Sequence, residues 1–245
     1  MKRKGFVSKS KGKPIEQQYR RTVSPKTDNH KRYIQSILDN QVTFCIGPAG
    51  TGKTSMAVGT ALTLLEKGDF ERLVITRPVV ESGENLGYLP GSADEKIGPY
   101  MLPVMDEALF YLGSYSALQA LKNKTNKQNG QPSIEVIPLA YMRGLSFHKT
   151  LVILDEAQNV TYRQLKMFLS RIGVNSKIII NGDTTQCDLP RHKRGGLQAC
   201  IDAVSNIRSI GTIHMDRGDV VRSGIVAEIL DRLEQWEQHY PQINN

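Results

Sequence analysis

The sequence predicts an α/β fold, a mostly parallel central sheet with helices on both faces. Three observations carry this expectation. Short apolar runs of strand length recur along the chain, separated by longer stretches whose apolar residues fall at helical spacing. Gly47-Pro48-Ala49-Gly50-Thr51-Gly52-Lys53-Thr54 fits the pattern of glycine, four residues, glycine, lysine, then serine or threonine, and it stands between such a run and an Ala- and Leu-rich stretch. Leu151-Val152-Ile153-Leu154 leads directly into Asp155-Glu156, as a central strand buried on both faces ends at the sheet edge where open parallel sheets carry their sites.

The first motif specifies its own chemistry. Its glycines let successive backbone N–H groups turn inward, and the following helix adds the partial positive charge of its N-terminus, so the oxygens of a nucleoside triphosphate meet several donors. Lys53 is expected to reach the β- and γ-phosphates, and Thr54 to give its hydroxyl to a magnesium ion bridging them. Asp155 is expected near that magnesium, usually through water, and Glu156 is placed to take a proton from an attacking water.

Length and composition bound the rest. At 245 residues the chain suits one sizeable α/β domain with appendages. No apolar run approaches the roughly 20 residues of a membrane span, and the Lys2-Arg3-Lys4 start is not followed by an apolar signal core. A cytoplasmic protein with no membrane partner is the expectation. Cys45, Cys187 and Cys200 are odd in number and share no metal-ligand spacing, which reads as reduced thiols. The net charge is +8, but its placement is uneven. Residues 1–32 hold eleven Lys or Arg against Glu16 and Asp28, leaving 21 basic against 22 acidic residues in the remainder. Residues 1–26 therefore read as a basic, disordered arm suited to polyanions, and 27–245 as a single, nearly neutral domain.

Taken in order, the elements follow from local pattern. Thr27 or Asp28 caps a helix over about 30–39, with Tyr33, Ile34 and Ile37 on one side, positioned to flank the nucleotide base. Val42–Ile46 is the strand before the phosphate loop, and Lys53–Glu66 the helix after it. Arg72–Thr76 is a second buried strand, followed at once by Arg77, a basic residue at the C-terminal end of a strand and so a phosphate or nucleic-acid contact, or else half of a structural salt bridge. In the 94–112 stretch Pro99 and Pro103 imply short or kinked helices. A short helix at 114–121, an exposed polar loop at 122–132 and a strand at 134–137 come next. Thr161 caps a helix running to Arg171, which complements its dipole. Lys177–Asn181 is a further strand, and Gln186 beyond it could bond the γ-phosphate or the attacking water. Arg191-His192-Lys193-Arg194 is the dense basic cluster of the body, in a loop that could meet phosphates. A helix at 196–204, a strand at 207–213 and a final helix within 220–240, with Ile225, Ile229, Leu230 and Leu233 on one side, complete the chain.

The motifs GPAGTGKT (47–54), TRPVVESGENLGYLPG (76–91), MRG (142–144), LDEAQN (154–159), NGDTTQ (181–186) and DVVRSGIV (219–226) together resemble those of the PhoH-like ATPase family over roughly Thr27 to Leu233. That family is similar to the first motor domain of superfamily-one helicases, so the resemblance implies a RecA-like P-loop NTPase fold with ATP and Mg2+ as cofactors. It implies that Gly47 to Thr54 and Asp155-Glu156 carry nucleotide binding and hydrolysis. It further implies that Gln186 senses the γ-phosphate and that the Arg77 segment touches single-stranded RNA or DNA. Where family members have glutamine to read adenine, this chain has His30, which cannot present the same donor-acceptor pair, so the choice of ATP over GTP is left open at this nucleotide contact. The RNA-cleaving domain appended in some members is not expected here. A motor domain of this kind needs an arginine finger, worth about 10³ to 10⁵ in rate, from another subunit. The expectation is therefore a homo-oligomeric ring, hexameric by resemblance, with Arg171 and Arg222 as finger candidates. Two other readings stand beside this ATPase coupled to single-stranded nucleic acid: a nucleotide-dependent switch or scaffold that controls assembly, and a small-molecule kinase. Glu156 and Gln186 favour water over a kinase acceptor.

Overall fold

The computed structural model of the chain describes residues 21–79, 93–124, 132–221 and 224–239. Six strands, β1 (Val42–Ile46), β2 (Arg72–Thr76), β3 (Ile134–Val136), β4 (Thr150–Leu154), β5 (Lys177–Gly182) and β6 (Ile210–His214), form one sheet in the order β3-β2-β4-β5-β1-β6. Every pairing is parallel. Two strand positions, β5 and β4, separate β1 from β2, so the chain leaving β1 crosses over them before it returns to the sheet. That crossover opens the space at the C-terminal edge into which the ends of β4 and β5 project.

Period-two alternation along the strands divides the core into two layers. Cys45, Leu73, Ile75, Leu151, Ile153 and Ile179 face one side, where they meet Tyr33 and Ile37 of α1 (Asp28–Asp39), the buried face of α2 (Lys53–Lys67), and α3 (Ala93–Leu112) and α4 (Tyr115–Asn123). Phe44, Ile46, Val74, Val152, Leu154, Ile178 and Ile180 face the other, against α5 (Tyr162–Leu169) and α6 (Gly196–Val204). Burial of both faces explains why β1, β2 and β4 are buried at every position and why their sequences are largely apolar. Each such Val, Leu or Ile contributes about 1.5–3 kcal/mol when fully buried. The helices start where the sequence places their caps. Thr27 Oγ1 accepts from His30 N at 3.2 Å, and Thr161 and Gln164 form a reciprocal capping box at the start of α5.

Two expectations need correction. The 93–112 stretch is one helix with Pro99 and Pro103 inside it, not short pieces. Both prolines are exposed and lie four residues apart on one face, so their missing donors fall on the side that water can reach. The boundary drawn at residue 26 for a disordered arm also differs from the structure. Arg21 N donates to Tyr111 O at 2.9 Å, the Arg21 guanidinium sits 4.1 Å from the Phe110 ring centroid, and Val23 packs on the core. Gly59 of α2 makes room for that packing, since a Cβ there would overlap Val23 and Tyr111. The rest of the expected arm lies outside the described residues. In α7 (Gly224–His239), Ile225, Ile229 and Leu233 of the apolar side are exposed. No described helix is long and apolar enough to cross a membrane.

Candidate nucleotide site

At the C-terminal edge of the sheet, Ala49, Lys53, Asp155, Glu156, Gly182, Asp183 and Gln186 line one cleft. Gly50 and Gly52 take the left-handed backbone, at φ 82° and 78°, that turns the phosphate loop around its own N–H groups, and Gly52 forms the N-cap of α2. Gly47 is required for a different reason. A Cβ at that position would stand 2.6 Å from the carbonyl oxygen of Met215, just beyond β6. Several of the loop's carbonyls are in use: Lys53 Nζ donates to Gly47 O at 2.6 Å and Pro48 O at 2.7 Å, Thr51 Oγ1 donates to Pro48 O at 2.8 Å, and Val221 N donates to Gly50 O at 3.3 Å. The ammonium of Lys53 thus lies folded onto the loop it is meant to reach out from.

Thr54 Oγ1 donates to Asp155 Oδ1 at 2.9 Å, joining the start of α2 to the end of β4. Asp155 is 4% exposed, and burial, followed by the neighbouring Glu156, raises its carboxyl above the usual carboxylate range. Thr54, Arg77 and Asn181 act in the opposite direction. Two hard oxygen donors meeting at a buried carboxylate suit magnesium, whose charge would offset that burial. Asn181 of β5 also donates to Asp155 Oδ1, at 3.3 Å, and the buried hydroxyl of Tyr33 in α1 donates in turn to the Asn181 amide oxygen. Asn181 opens the NGDTTQ motif, but its contacts with Asp155 and Tyr33 depend on β4–β5 pairing and on how α1 packs.

Glu156 sits at φ 55°, a left-handed conformation uncommon for a residue with a side chain. Arg77 Nη2 approaches its Oε1 at 3.1 Å, and Gln158 Nε2 donates to its Oε2 at 2.5 Å. Gln158 also accepts from Asp183 N at 2.9 Å, Cys187 Sγ donates to the Gln158 carbonyl at 3.1 Å, and Asn159 and Asp188 exchange bonds of 2.9 and 2.8 Å. The LDEAQN and NGDTTQ segments are therefore fastened together, and this fastening sets where exposed Gln186 stands in the cleft. Of the Asp183 carboxylate, Oδ1 accepts from Thr185 while buried Oδ2 has no protein partner.

Other expected site residues lie elsewhere. His30 is 1% exposed and both ring nitrogens are engaged: Lys26 N donates to Nδ1 at 3.1 Å, which leaves Nε2 to donate to Thr51 O at 2.8 Å. Instead of presenting a polar edge to a base, it pins the phosphate loop to the chain before α1. Beside it Asn29 Nδ2 donates to Asp219 Oδ2 at 2.8 Å, so the DVVRSGIV segment is tied to the same corner. Arg171 caps the end of α5, donating to Met167 O at 3.2 Å, Ser170 Oγ at 2.9 Å and Leu145 O at 3.4 Å. It precedes β5 and so lies at the sheet edge opposite the cleft. Arg191, His192, Lys193 and Arg194 form an exposed turn beyond β5, on the edge that carries the cleft. Arg222 and most of the 76–91 motif lie outside the described residues.

A phosphate loop after β1 and an Asp-Glu pair after β4, on a parallel sheet with β5 between them, place the molecule in the RecA-like class of P-loop nucleotide-binding proteins. The family model described as PhoH-like protein matches residues 22–234, and the chain belongs to that family. A PhoH-like protein of Mycobacterium leprae is 44% identical over 219 residues, 89% of this chain and 60% of that protein. The PhoH-like protein of Bacillus subtilis is 41% identical over 215 residues, 88% of this chain and 65% of the relative. For Protein PhoH of Escherichia coli the figures are 40% over 198 residues, 81% and 54%. The chain thus spans between about half and two thirds of the length of these relatives. Among solved structures, the large terminase of a thermophilic bacteriophage superposes with a TM-score of 0.54 at 12% identity, covering 85% of this chain and 50% of that one, a likeness of fold alone.

Proposed function

We propose that the chain is a magnesium-dependent ATPase whose turnover is coupled to single-stranded nucleic acid. The observation that carries this reading is the convergence of Lys53, Asp155, Glu156 and Gln186 on one cleft beside the phosphate loop. On binding nucleotide, Lys53 exchanges the carbonyls of Gly47 and Pro48 for phosphate oxygens, a better partner for an ammonium. Thr54 and Asp155 are the residues that would hold magnesium, which neutralises charge on the β- and γ-phosphate oxygens. Glu156 removes the proton of the attacking water, and Gln186 orients that water or the γ-phosphate. ATP is assigned on family membership; because His30 is engaged on both nitrogens, little preference over GTP is expected from that position. Arg77 beside the cleft and the exposed Arg191–Arg194 turn on the same edge offer contacts to polynucleotide phosphates, with the basic N-terminal stretch as a further contact.

Among the described residues no arginine lines the cleft to act as a finger. We infer a ring, hexameric by family resemblance, in which a neighbouring subunit supplies it. The exposed Ile225, Ile229 and Leu233 face of α7 supports this reading as a surface that assembly would cover. Because Arg171 is committed to its own helix end, Arg222 is the finger candidate to substitute first.

The test is hydrolysis of ATP and GTP by the full chain with magnesium and with excess chelator, for wild type, Lys53→Ala and Glu156→Gln, each with and without single-stranded RNA or DNA. Expected are magnesium-dependent turnover raised by polynucleotide, loss of nucleotide binding in Lys53→Ala, and binding without turnover in Glu156→Gln. Turnover indifferent to every polynucleotide, with ATP-dependent assembly intact, would replace this reading by the switch or scaffold.

A further inference from the structure

The Arg77–Glu156 pair joins the two halves of the proposed function, and it forms just beyond the paired ends of β2 and β4. Thr76 of β2 pairs with Leu154 of β4, and Asp155 N donates to Thr76 O at 2.9 Å, extending the ladder one residue beyond the strand ends. In this register Arg77 falls opposite Asp155, and Glu156, one residue further on and in the left-handed conformation, meets the Arg77 guanidinium just beyond the strand ends. Each oxygen of the general base then carries one donor, Oε1 Arg77 at 3.1 Å and Oε2 Gln158 at 2.5 Å, and the two together fix the orientation of the carboxylate. A lone pair committed to a guanidinium is not available to a water proton. Arg77 and Glu156 side chains are 23% and 36% exposed, so the pair is open to competition from solvent, unlike a sealed interior bridge. Phosphate is the natural competitor, since it offers the same planar fork of N–H donors a charge-assisted, two-oxygen partner.

Resting on the reading of a polynucleotide-coupled ATPase, we propose that Arg77 is a positioning residue that latches Glu156, and that a single-strand phosphate opens the latch by taking Arg77. Without polynucleotide Glu156 is held out of use; with it, the carboxylate is freed toward the cleft while Gln158, anchored to Asp183 N, keeps it aimed. One guanidinium shared between two acceptors couples their occupancies, and that coupling is reciprocal. Whatever polynucleotide does to the latch, removal of the Glu156 charge must do to polynucleotide affinity.

That reciprocity gives a test free of any need for turnover. Binding of fluorescein-labelled oligo(U) and oligo(dT) is measured by anisotropy for the full chain as wild type, Glu156→Gln, Arg77→Met and the double variant. Glu156→Gln should bind about two- to fivefold more tightly than wild type, the range expected for releasing a half-exposed ion pair. In the Arg77→Met background the same substitution should change nothing. Equal tightening in both backgrounds would mean a general charge effect, and no tightening in either would mean that the pair is not shared; each overturns the latch while leaving polynucleotide binding in place. Absence of binding to either oligonucleotide by every variant would instead overturn the nucleic-acid reading itself. As a second readout, Arg77→Met should raise ATP turnover in the absence of polynucleotide about two- to fivefold and lose most of its stimulation. A fall in basal turnover to the level of Glu156→Gln would show that Arg77 is needed for catalysis and contradict the latch.

Discussion

The carboxyl of Asp155 is buried and its affinity for protons is raised, chiefly by desolvation and then by Glu156, so folding favours its neutral form. A folded-state value above the unfolded one means that ionisation weakens the nucleotide-free fold as pH rises through the ordinary carboxylate range. Asp155→Asn, which mimics the neutral form and still accepts from Thr54, should therefore stabilise the nucleotide-free protein by about 1 kcal/mol in chemical denaturation while abolishing magnesium-dependent turnover. An unchanged or lowered stability would show that the charge is already compensated. His30 leads to the opposite kind of expectation. Its truncation to Ala removes one buried and one part-buried hydrogen bond and leaves the buried Thr51 O without this partner, at about 1–3 kcal/mol. The ratio of ATP to GTP turnover in His30→Ala should stay within about twofold of wild type; a tenfold change would restore the base-reading role, since one base-edge contact is worth about that much. Lys53, Thr54, Asp155 and Glu156 were legible in the sequence because each stands at fixed spacing within a local motif. Asn181, Tyr33 and Gln158 were not, because their roles arise from partners 26, 148 and 2 residues away, joined by strand register, helix packing and a backbone turn respectively.

At the scale of elements, strands and capped helices were read from pattern to within about three residues, since two-sided burial demands largely apolar runs and caps use few residue types. What pattern could not show was contact between elements. Residues 21–26 have no periodicity, yet Val23 and Arg21 find a seat on α2 and α3. Gly47 reads as a motif glycine, but its close approach to Met215 adds a demand from β6. Gly47→Ala should displace the chain after β6 and so lose nucleotide binding together with at least about 2 kcal/mol of stability, in the range of overpacked positions. Retained nucleotide affinity would show that the Met215 segment yields. The joint between the LDEAQN and NGDTTQ segments gives a finer expectation: Asn159→Ala, remote from the reacting atoms, frees Asp188 and loosens the loop bearing Gln186. Its kcat should fall about tenfold or more with KM little changed, as for a group that acts only when the transition state is assembled. An effect confined to KM would place that loop in nucleotide binding alone.

For the whole molecule, the sheet order brings the C-terminal ends of β1, β4 and β5 together, and on the proposed reading the cleft formed there, with no arginine among its described lining residues, needs a finger and a trigger. Assembly would supply the first, so turnover per subunit should rise with protein concentration, and Leu233→Asp on the exposed face of α7 should lower both the oligomeric mass seen by sedimentation and the turnover. Concentration-independent turnover by a protein shown to be monomeric would contradict the ring. Polynucleotide would supply the second through Arg77. The most direct measurement is therefore steady-state ATP turnover of the full chain at saturating magnesium and ATP, with and without saturating single-stranded RNA or DNA. The account predicts turnover that rises severalfold with at least one polynucleotide and vanishes in Glu156→Gln; a rate unaltered by either polynucleotide, or one that survives Glu156→Gln, would contradict it.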